Sequence, residues 1–205
     1  MSSRNLEHLL APHSVALIGA SDRPRSVGAT VMRNLLQGDF DGQVWPVNLR
    51  HATVAGVKSY PRIASLPEAP DLAILCTPAS TIPDLITQLG EKGTRAAVVI
   101  SAGLEGPAPG GGSLQAAMLK AARPYTLRIL GPNCVGLLLP RIGLNGSFAH
   151  AQALPGRLAF IAQSGALTTA MLDWARTNQI GFSCFISLGN GAADMNLRAW
   201  VIASM

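Results

Sequence analysis

The feature that most limits how this chain can fold is a repeated alternation of three things: a short apolar run, a turn of small residues, and a stretch with apolar residues at helical spacing. The runs at 14–18, 44–47, 72–76, 96–100 and 127–130 have only Ser14 and Arg128 as polar members. Continuous apolar runs of that length fit strands buried on both faces, the condition met by a parallel sheet with helices on either side. The stretches at 27–36, 82–92 and 114–123 carry apolar residues three and four apart and read as the covering helices.

That grammar predicts an α/β protein whose first domain, residues 1–145, is a Rossmann-like parallel sheet ending near 131–145. A second unit repeats it, from a run at 157–161 through a Ser164-Gly165 turn and a helix at 167–177 to a run at 182–187. After the Gly189-Asn190-Gly191 turn only 197–205 remain to finish its sheet, so 151–205 read as an incomplete second α/β domain.

Composition closes off several function classes. With 48% hydrophobic and 13% charged residues, the 205-residue chain can bury a core. The 21 Gly and 14 Pro are dispersed between the apolar runs, apart from a short stretch at 107–112, which fits many tight turns and argues against disorder. Residues 1–13 hold no signal-peptide core, and no run approaches the length of a membrane span, so a cytoplasmic protein is expected. Cys76, Cys134 and Cys184 lack CxxC spacing; each reads as a small buried hydrophobe, and neither a zinc site nor a disulfide framework is indicated. The net charge of +5 comes from 16 scattered Lys and Arg with no basic stripe, which favours a small anionic ligand over nucleic acid.

In an open parallel sheet, ligands bind beyond the carboxyl ends of the strands, so the residues just after each run carry the chemistry. After the first come Gly19-Ala20-Ser21 and then Arg25 and Gly28, a turn fit to cradle phosphate, although an unliganded structural turn would read the same way. The second run ends in Asn48-Leu49-Arg50, without the carboxylate that a nicotinamide dinucleotide site uses on the adenosine ribose. Arg50 suits a phosphorylated ribose, found in both NADP and CoA, or is an ordinary solvated charge. Thr77-Pro78 and Ser101-Ala102-Gly103 are small-residue turns with room for an adenine or a pantetheine arm. Gly131-Pro132-Asn133-Cys134 is a rigid turn able to aim the Asn133 amide at a ligand.

Taken together, Val15 to Ser21, Pro46-Val47-Asn48, Gly131-Pro132-Asn133-Cys134, Ile161 to Leu167 and Ser187-Leu188-Gly189-Asn190 resemble the CoA-binding half of NDP-forming acyl-CoA synthetases. More distantly, they resemble the α-subunit of succinyl-CoA synthetase. A closer similarity, through Met32 to Leu36 and Pro70 to Thr77, is to the synthetase-like half of bacterial protein lysine acetyltransferases, whose acetyltransferase domain has no counterpart in these 205 residues. The resemblance implies that the second unit is flavodoxin-like and that coenzyme A is the bound cofactor. It places Gly19, Ala20, Ser21, Arg25, Gly28, Asn48 and Arg50 around the CoA nucleotide, with Arg50 where the family usually has lysine. Thr77, Pro78 and Ser101 would line the nucleotide and pantetheine path, with Asn133 and Cys134 near the thiol. Ser164-Gly165 would open a helix facing a phosphohistidine that lies beyond Met205. His8, His13, His51 and His150 are given surface or structural roles, and the family pattern weakens after Asp194.

The expectation is thus a CoA or acyl-CoA binding module of an acetate–CoA ligase type protein, carrying no catalytic residue of its own and inactive alone. Its protein partners would be an ATP-grasp-type subunit or domain, or a second copy of itself, with no nucleic acid and no membrane. Two alternatives stay open: an NADP-binding Rossmann oxidoreductase, and a non-catalytic subunit that senses CoA.

Overall fold

The computed structural model describes residues 5–190. From the N-terminus the chain runs α1 (Glu7–Leu10), β1 (Ser14–Ile18), α2 (Val27–Gln37), β2 (Gln43–Val47), β3 (Thr53–Val54), β4 (Val57–Lys58), β5 (Leu72–Leu75), α3 (Ile82–Lys92) and β6 (Ala96–Val99). It continues through α4 (Leu114–Ala122), β7 (Arg128–Leu130), β8 (Gly136–Leu139), β9 (Leu144–Ser147), β10 (Pro155–Ala162), α5 (Gly165–Thr177) and β11 (Phe182–Ser187). The helices start where the sequence offers caps: the hydroxyls of Ser26, Ser113 and Ser164 accept from the backbone N–H groups of Ala29, Ala116 and Leu167 at the heads of α2, α4 and α5.

Side-chain alternation along the buried strands then decides the layers. The five expected strands form one parallel sheet in the order β2-β1-β5-β6-β7. Ala16, Ile18, Ala73, Leu75, Ala97 and Val99 face one side, where Ile82, Ile86 and Leu89 of α3 and Leu114 and Met118 of α4 cover them. Val15, Leu17, Leu72, Ile74 and Val98 face the other, where α2 contributes Val31, Met32 and Leu35. Successive residues going to opposite cores is the two-residue period of a strand, and it makes this a doubly wound sheet as expected.

α2 does not cover its face alone. A second sheet, ordered β10-β11-β8-β9, lays Leu137, Leu139, Leu144 and Ile186 into the same core. This was not foreseen. The apolar run after Gly131 forms an antiparallel hairpin, β8–β9, which pairs with β11 and so belongs to the second sheet while packing on the first. A boundary drawn at residue 145 therefore falls inside β9. The reverse face of the second sheet is closed by α5, through Leu172 and Ala175 against an aromatic group in which the Phe160 and Phe185 rings stack at 4.5 Å between centroids. The β3–β4 hairpin and α1 were likewise unforeseen; two-residue strands and a one-turn helix are too short to show a period. Residues 197–205, on which the incompleteness of the second domain was argued, lie outside the described residues, and β10 is an edge strand among those described.

Two histidines do tie the surface together: His8 Nδ1 lies 3.0 Å from Asp71 Oδ1, and His150 Nε2 lies 2.6 Å from Asp173 Oδ1. Among the described residues, no helix is long and apolar enough to cross a membrane.

The junction between α2 and β9 is polar at one point. Asn34, 5% exposed, donates through Nδ2 to the carbonyls of Ser147 and Ala149, each at 2.8 Å. Replacing it leaves those buried acceptors without their donor, at a cost of about 1–3 kcal/mol. Asn34→Ala should therefore lower the urea midpoint of the whole chain in a single transition, as followed by circular dichroism, because both sheets share the core it braces.

Candidate functional site

The turns leaving the first sheet are cross-tied along its carboxyl edge. The N–H of Gly19 donates to the Val47 carbonyl at 3.1 Å and that of Cys76 to Ile18 at 2.9 Å. Ser101 Oγ donates to the Thr77 carbonyl, and the Asn133 N–H to the Ser101 carbonyl at 3.0 Å. Strand order reverses between β1 and β5, the position where such sheets open a crevice for ligands. Gly19 sits at that point with φ +88°, so near its neighbour that a Cβ would lie 3.0 Å from the Cys76 carbonyl oxygen. A Cβ on Gly28 would lie 2.1 Å from the Gly19 carbonyl oxygen, so only glycine lets the head of α2 seat on this turn.

A cleft of about 750 Å³ opens where the tips of β5, β6 and β7 meet the second sheet. Thr77, Pro78, Ser101, Asn133 and Cys134 line it from the first sheet, and Ser164 and Gly165, at the head of α5, from the second. Seven of the residues named from sequence thus converge in one cavity. Gly19, Ala20, Ser21, Arg25, Gly28, Asn48 and Arg50 do not line it; they lie on the neighbouring strand tips of the same edge, continuing from the Gly19–Thr77 contact. Arg25, with φ 63°, and Arg50 are both exposed there.

The Asn48 amide is engaged with backbone on both sides. Its Nδ2 donates to the Ala20 carbonyl at 2.8 Å, and its Oδ1 accepts from the Arg50 and His51 N–H groups at 2.8 and 3.0 Å. The amide shapes the end of β2 and fastens it to the Gly19 turn, which fixes where Arg50 begins. Asp22 does the same for the β3–β4 hairpin, accepting from the Ala55 N–H at 2.7 Å.

Across the cleft, the two sheets meet through Asn133, whose Nδ2 donates to Asn190 Oδ1 at 3.0 Å, while the Asn190 N–H donates to the Pro132 carbonyl at 2.9 Å. Asn190, Gln163, Val27, Val135 and Phe148 also line the cleft and were not among the sequence candidates. Asn190 follows a strand, so the strand-tip rule could have found it. Phe148 follows the unforeseen hairpin, and nothing in the local pattern marks it.

The two cysteines of the cleft are poor nucleophiles. Burial pushes the Cys76 thiol from 9.0 up to about 12, with the neighbouring Cys134 adding to it. Burial likewise pushes Cys134 up to about 12, against a partial offset from backbone hydrogen bonds. Ser164 Oγ is engaged as the cap of α5, accepting from Leu167, and Ser164 and Gly165 at the head of that helix line the cavity. Among the described residues, no group of His, Cys, Asp and Glu could hold a metal ion.

Comparison with known proteins agrees with this geometry. Residues 13–140 match the family described as "CoA binding domain", and 155–201 match "Succinyl-CoA ligase like flavodoxin domain". Acetate–CoA ligase I (ADP-forming) of Archaeoglobus fulgidus is 39% identical over 187 residues, covering 91% of this chain and 27% of that protein. The α subunit of the Pyrococcus furiosus acetate–CoA ligase I (ADP-forming) is 35% identical over 192 residues, covering 92% of this chain and 42% of that subunit. The apo form of the dinucleotide-forming acetyl-coenzyme A synthetase 1 of Ca. Korarchaeum cryptofilum superposes with a TM-score of 0.89 at 34% identity, over 97% of this chain and 43% of that one. The chain therefore spans well under half the length of these relatives, and its similarity to lysine acetyltransferases rests on the two sequence segments alone. A doubly wound sheet with a glycine turn at its switch point, a cleft at its carboxyl edge and a family match over 13–140 together make this chain a member of the CoA-binding domain family, joined to a succinyl-CoA ligase-like flavodoxin domain.

Proposed function

We propose that this chain is the CoA-holding part of an ADP-forming acyl-CoA ligase, with coenzyme A laid along the carboxyl edge of the first sheet. The observation that carries this reading is the continuity of the edge: the Gly19 turn abuts Thr77, and Thr77 opens the cleft that ends at Asn133, Cys134 and the head of α5. The phosphates belong at the Gly19-Ala20-Ser21 turn beside Arg25, and the phosphorylated ribose at Arg50. The pantetheine arm passes Thr77, Pro78 and Ser101, and the thiol reaches Asn133 and Cys134.

Two helix heads border the cleft, α2 through Val27 and α5 through Ser164 and Gly165. Their N–H groups favour anions, so an acyl phosphate or a phosphorylated side chain has a natural place before α5. In ligases of this kind the carboxylate becomes an acyl phosphate, whose acyl carbon the CoA thiol, giving up its proton, then attacks, breaking the acyl C–O bond and releasing inorganic phosphate. This chain supplies placement of the thiol and stabilisation of charge. None of His8, His13, His51 and His150 lines the cleft, so a phosphohistidine relay and the nucleotide come from elsewhere, an ATP-grasp-type subunit or domain being the expected source. The chain alone is expected to bind and not to turn over.

Isothermal titration with CoA should give saturable binding; a folded sample with no heat at high concentration overturns the reading, and enhancement of NADPH fluorescence in its place would favour the oxidoreductase alternative. Arg50 is exposed, so Arg50→Ala leaves the fold intact and should weaken CoA by about tenfold, the worth of a charge-assisted hydrogen bond. Dephospho-CoA, which lacks the ribose phosphate, should be insensitive to that change.

The protein's own thiols should stay out of the chemistry. Iodoacetamide at neutral pH should label Cys76 and Cys134 far more slowly in the native chain than in urea, as read by peptide mass spectrometry. Because their folded pKa values lie above the unfolded ones, these cysteines stabilise the fold fully below about pH 9 and lose that contribution as pH rises towards 12. Replacing both with alanine should therefore flatten the alkaline limb of a stability–pH curve.

A further inference from the structure

Residues 48–58 leave β2 and turn back through the β3–β4 hairpin, and side chains fasten that stretch to the β1 turn at two points. At one end Asn48 Nδ2 donates to the Ala20 carbonyl at 2.8 Å; at the other the Ala55 N–H donates to Asp22 Oδ1 at 2.7 Å. Ala20 and Asp22 are next but one to each other, and Arg50 and His51 stand between the two fastened points. The stretch is an arch with both feet on the turn after β1.

The two ends of the hairpin are held differently. At its base, Val54 is buried in the core shared with α2, and Ser59 donates its N–H to the Ala52 carbonyl at 2.8 Å and its hydroxyl to the Pro46 carbonyl at 3.2 Å. At its tip, Ala55 with φ 50° and Gly56 with φ 77° make the tight turn, both are exposed, and a Cβ on Gly56 would meet nothing within 4 Å. Packing and backbone hold the base, and the Asp22 carboxylate holds the tip.

Asp22 is an awkward residue for a turn that cradles phosphate. A carboxylate repels a phosphate, and the other charged residues of 19–28 are Arg23 and Arg25. Asp22 is exposed, so no core depends on it. A carboxylate set against the sign of its surroundings is accounted for by a geometric task, and the bond to Ala55 supplies one.

We propose that Asp22 is a positioning residue for the nucleotide end of coenzyme A: by holding the hairpin tip to the β1 turn it sets the arch, and through the arch the reach of Arg50 towards the ribose phosphate. This rests on the CoA reading above and adds to it the residue that orients Arg50. Without the tie, part of the arch has to be ordered anew when the ligand binds, and fixing one backbone residue lowers affinity by about fivefold to thirtyfold. The competing role is a purely electrostatic one, in which the charge of Asp22 acts on the ligand directly and its hydrogen bond is incidental.

The test is calorimetric titration of the full chain with CoA and with dephospho-CoA, reading the ratio of the two affinities. Asp22→Asn removes the charge and keeps an acceptor oxygen for Ala55, whereas Asp22→Ala removes both. The ratio of CoA to dephospho-CoA affinity in Asp22→Ala should fall about fivefold or more below that in Asp22→Asn. That gap should close when Arg50→Ala is added to both variants, because Asp22 acts through Arg50. Any smaller gap, with the two variants moving alike, assigns Asp22 an electrostatic or surface role and overturns the proposal. A gap that persists without Arg50 overturns it as well. A wild-type chain that binds neither ligand overturns the CoA reading itself, and one that binds both equally removes the ribose phosphate from Arg50, so these failures are told apart from that of the tie.

Discussion

The candidate site depends on the approach of the β1 turn to the β5 turn, where Gly19 lies against Cys76 and Thr77 and in turn receives Gly28 from the head of α2. Parallel strands place their carboxyl ends together, but a functional edge also needs the turns to leave without blocking one another. Glycine at two positions allows that. Once β1 and β5 are seated, hydrogen bonds from Ser101 to Thr77 and from Asn133 to Ser101 fix the next two tips in register. The cleft is therefore a consequence of strand packing, with few side chains devoted to shaping it.

Most of the first sheet could be read from the sequence, because its strands are buried on both faces and so appear as unbroken apolar runs. The β1, α3 and β11 bounds agree with the periodic reading, and the other first-sheet strands and helices differ by a residue at an end, where capping decides. β8 and β9 were less visible for a physical reason. β8 is a short apolar run, but β9 reads Leu-Asn-Gly-Ser and shows no apolar period, and what ties the hairpin to another sheet is its partner β11, which a one-dimensional pattern does not carry.

The site divides along the same line. Thr77, Ser101 and Asn133 were named by position immediately after first-sheet strands and do line the cleft, while Ser164-Gly165 as the head of α5 was named from the family resemblance. Asn48 was found by position too, yet its amide is engaged with backbone, since residue type alone does not distinguish a side chain that builds a turn from one that meets a ligand. Phe148 and Val27 reach the cleft through contacts between the two sheets, which no local spacing records. The resemblance to acyl-CoA synthetases added what position could not, the proposal of coenzyme A as the ligand.

The β8–β9 hairpin, hydrogen-bonded to the second sheet and packed on the first, gives the two family domains one shared core within the described residues. Sequence families place a seam near residue 150, but a cut made there would part the hairpin from β11 and take Cys184 and Ile186 out of the core they share with Ile74. An exchange of segments would keep these pairings only where the hairpin travels together with β11. The parts of the cleft lined by the first and by the second sheet are bound to one another through that hairpin, so a change in one is felt by the other.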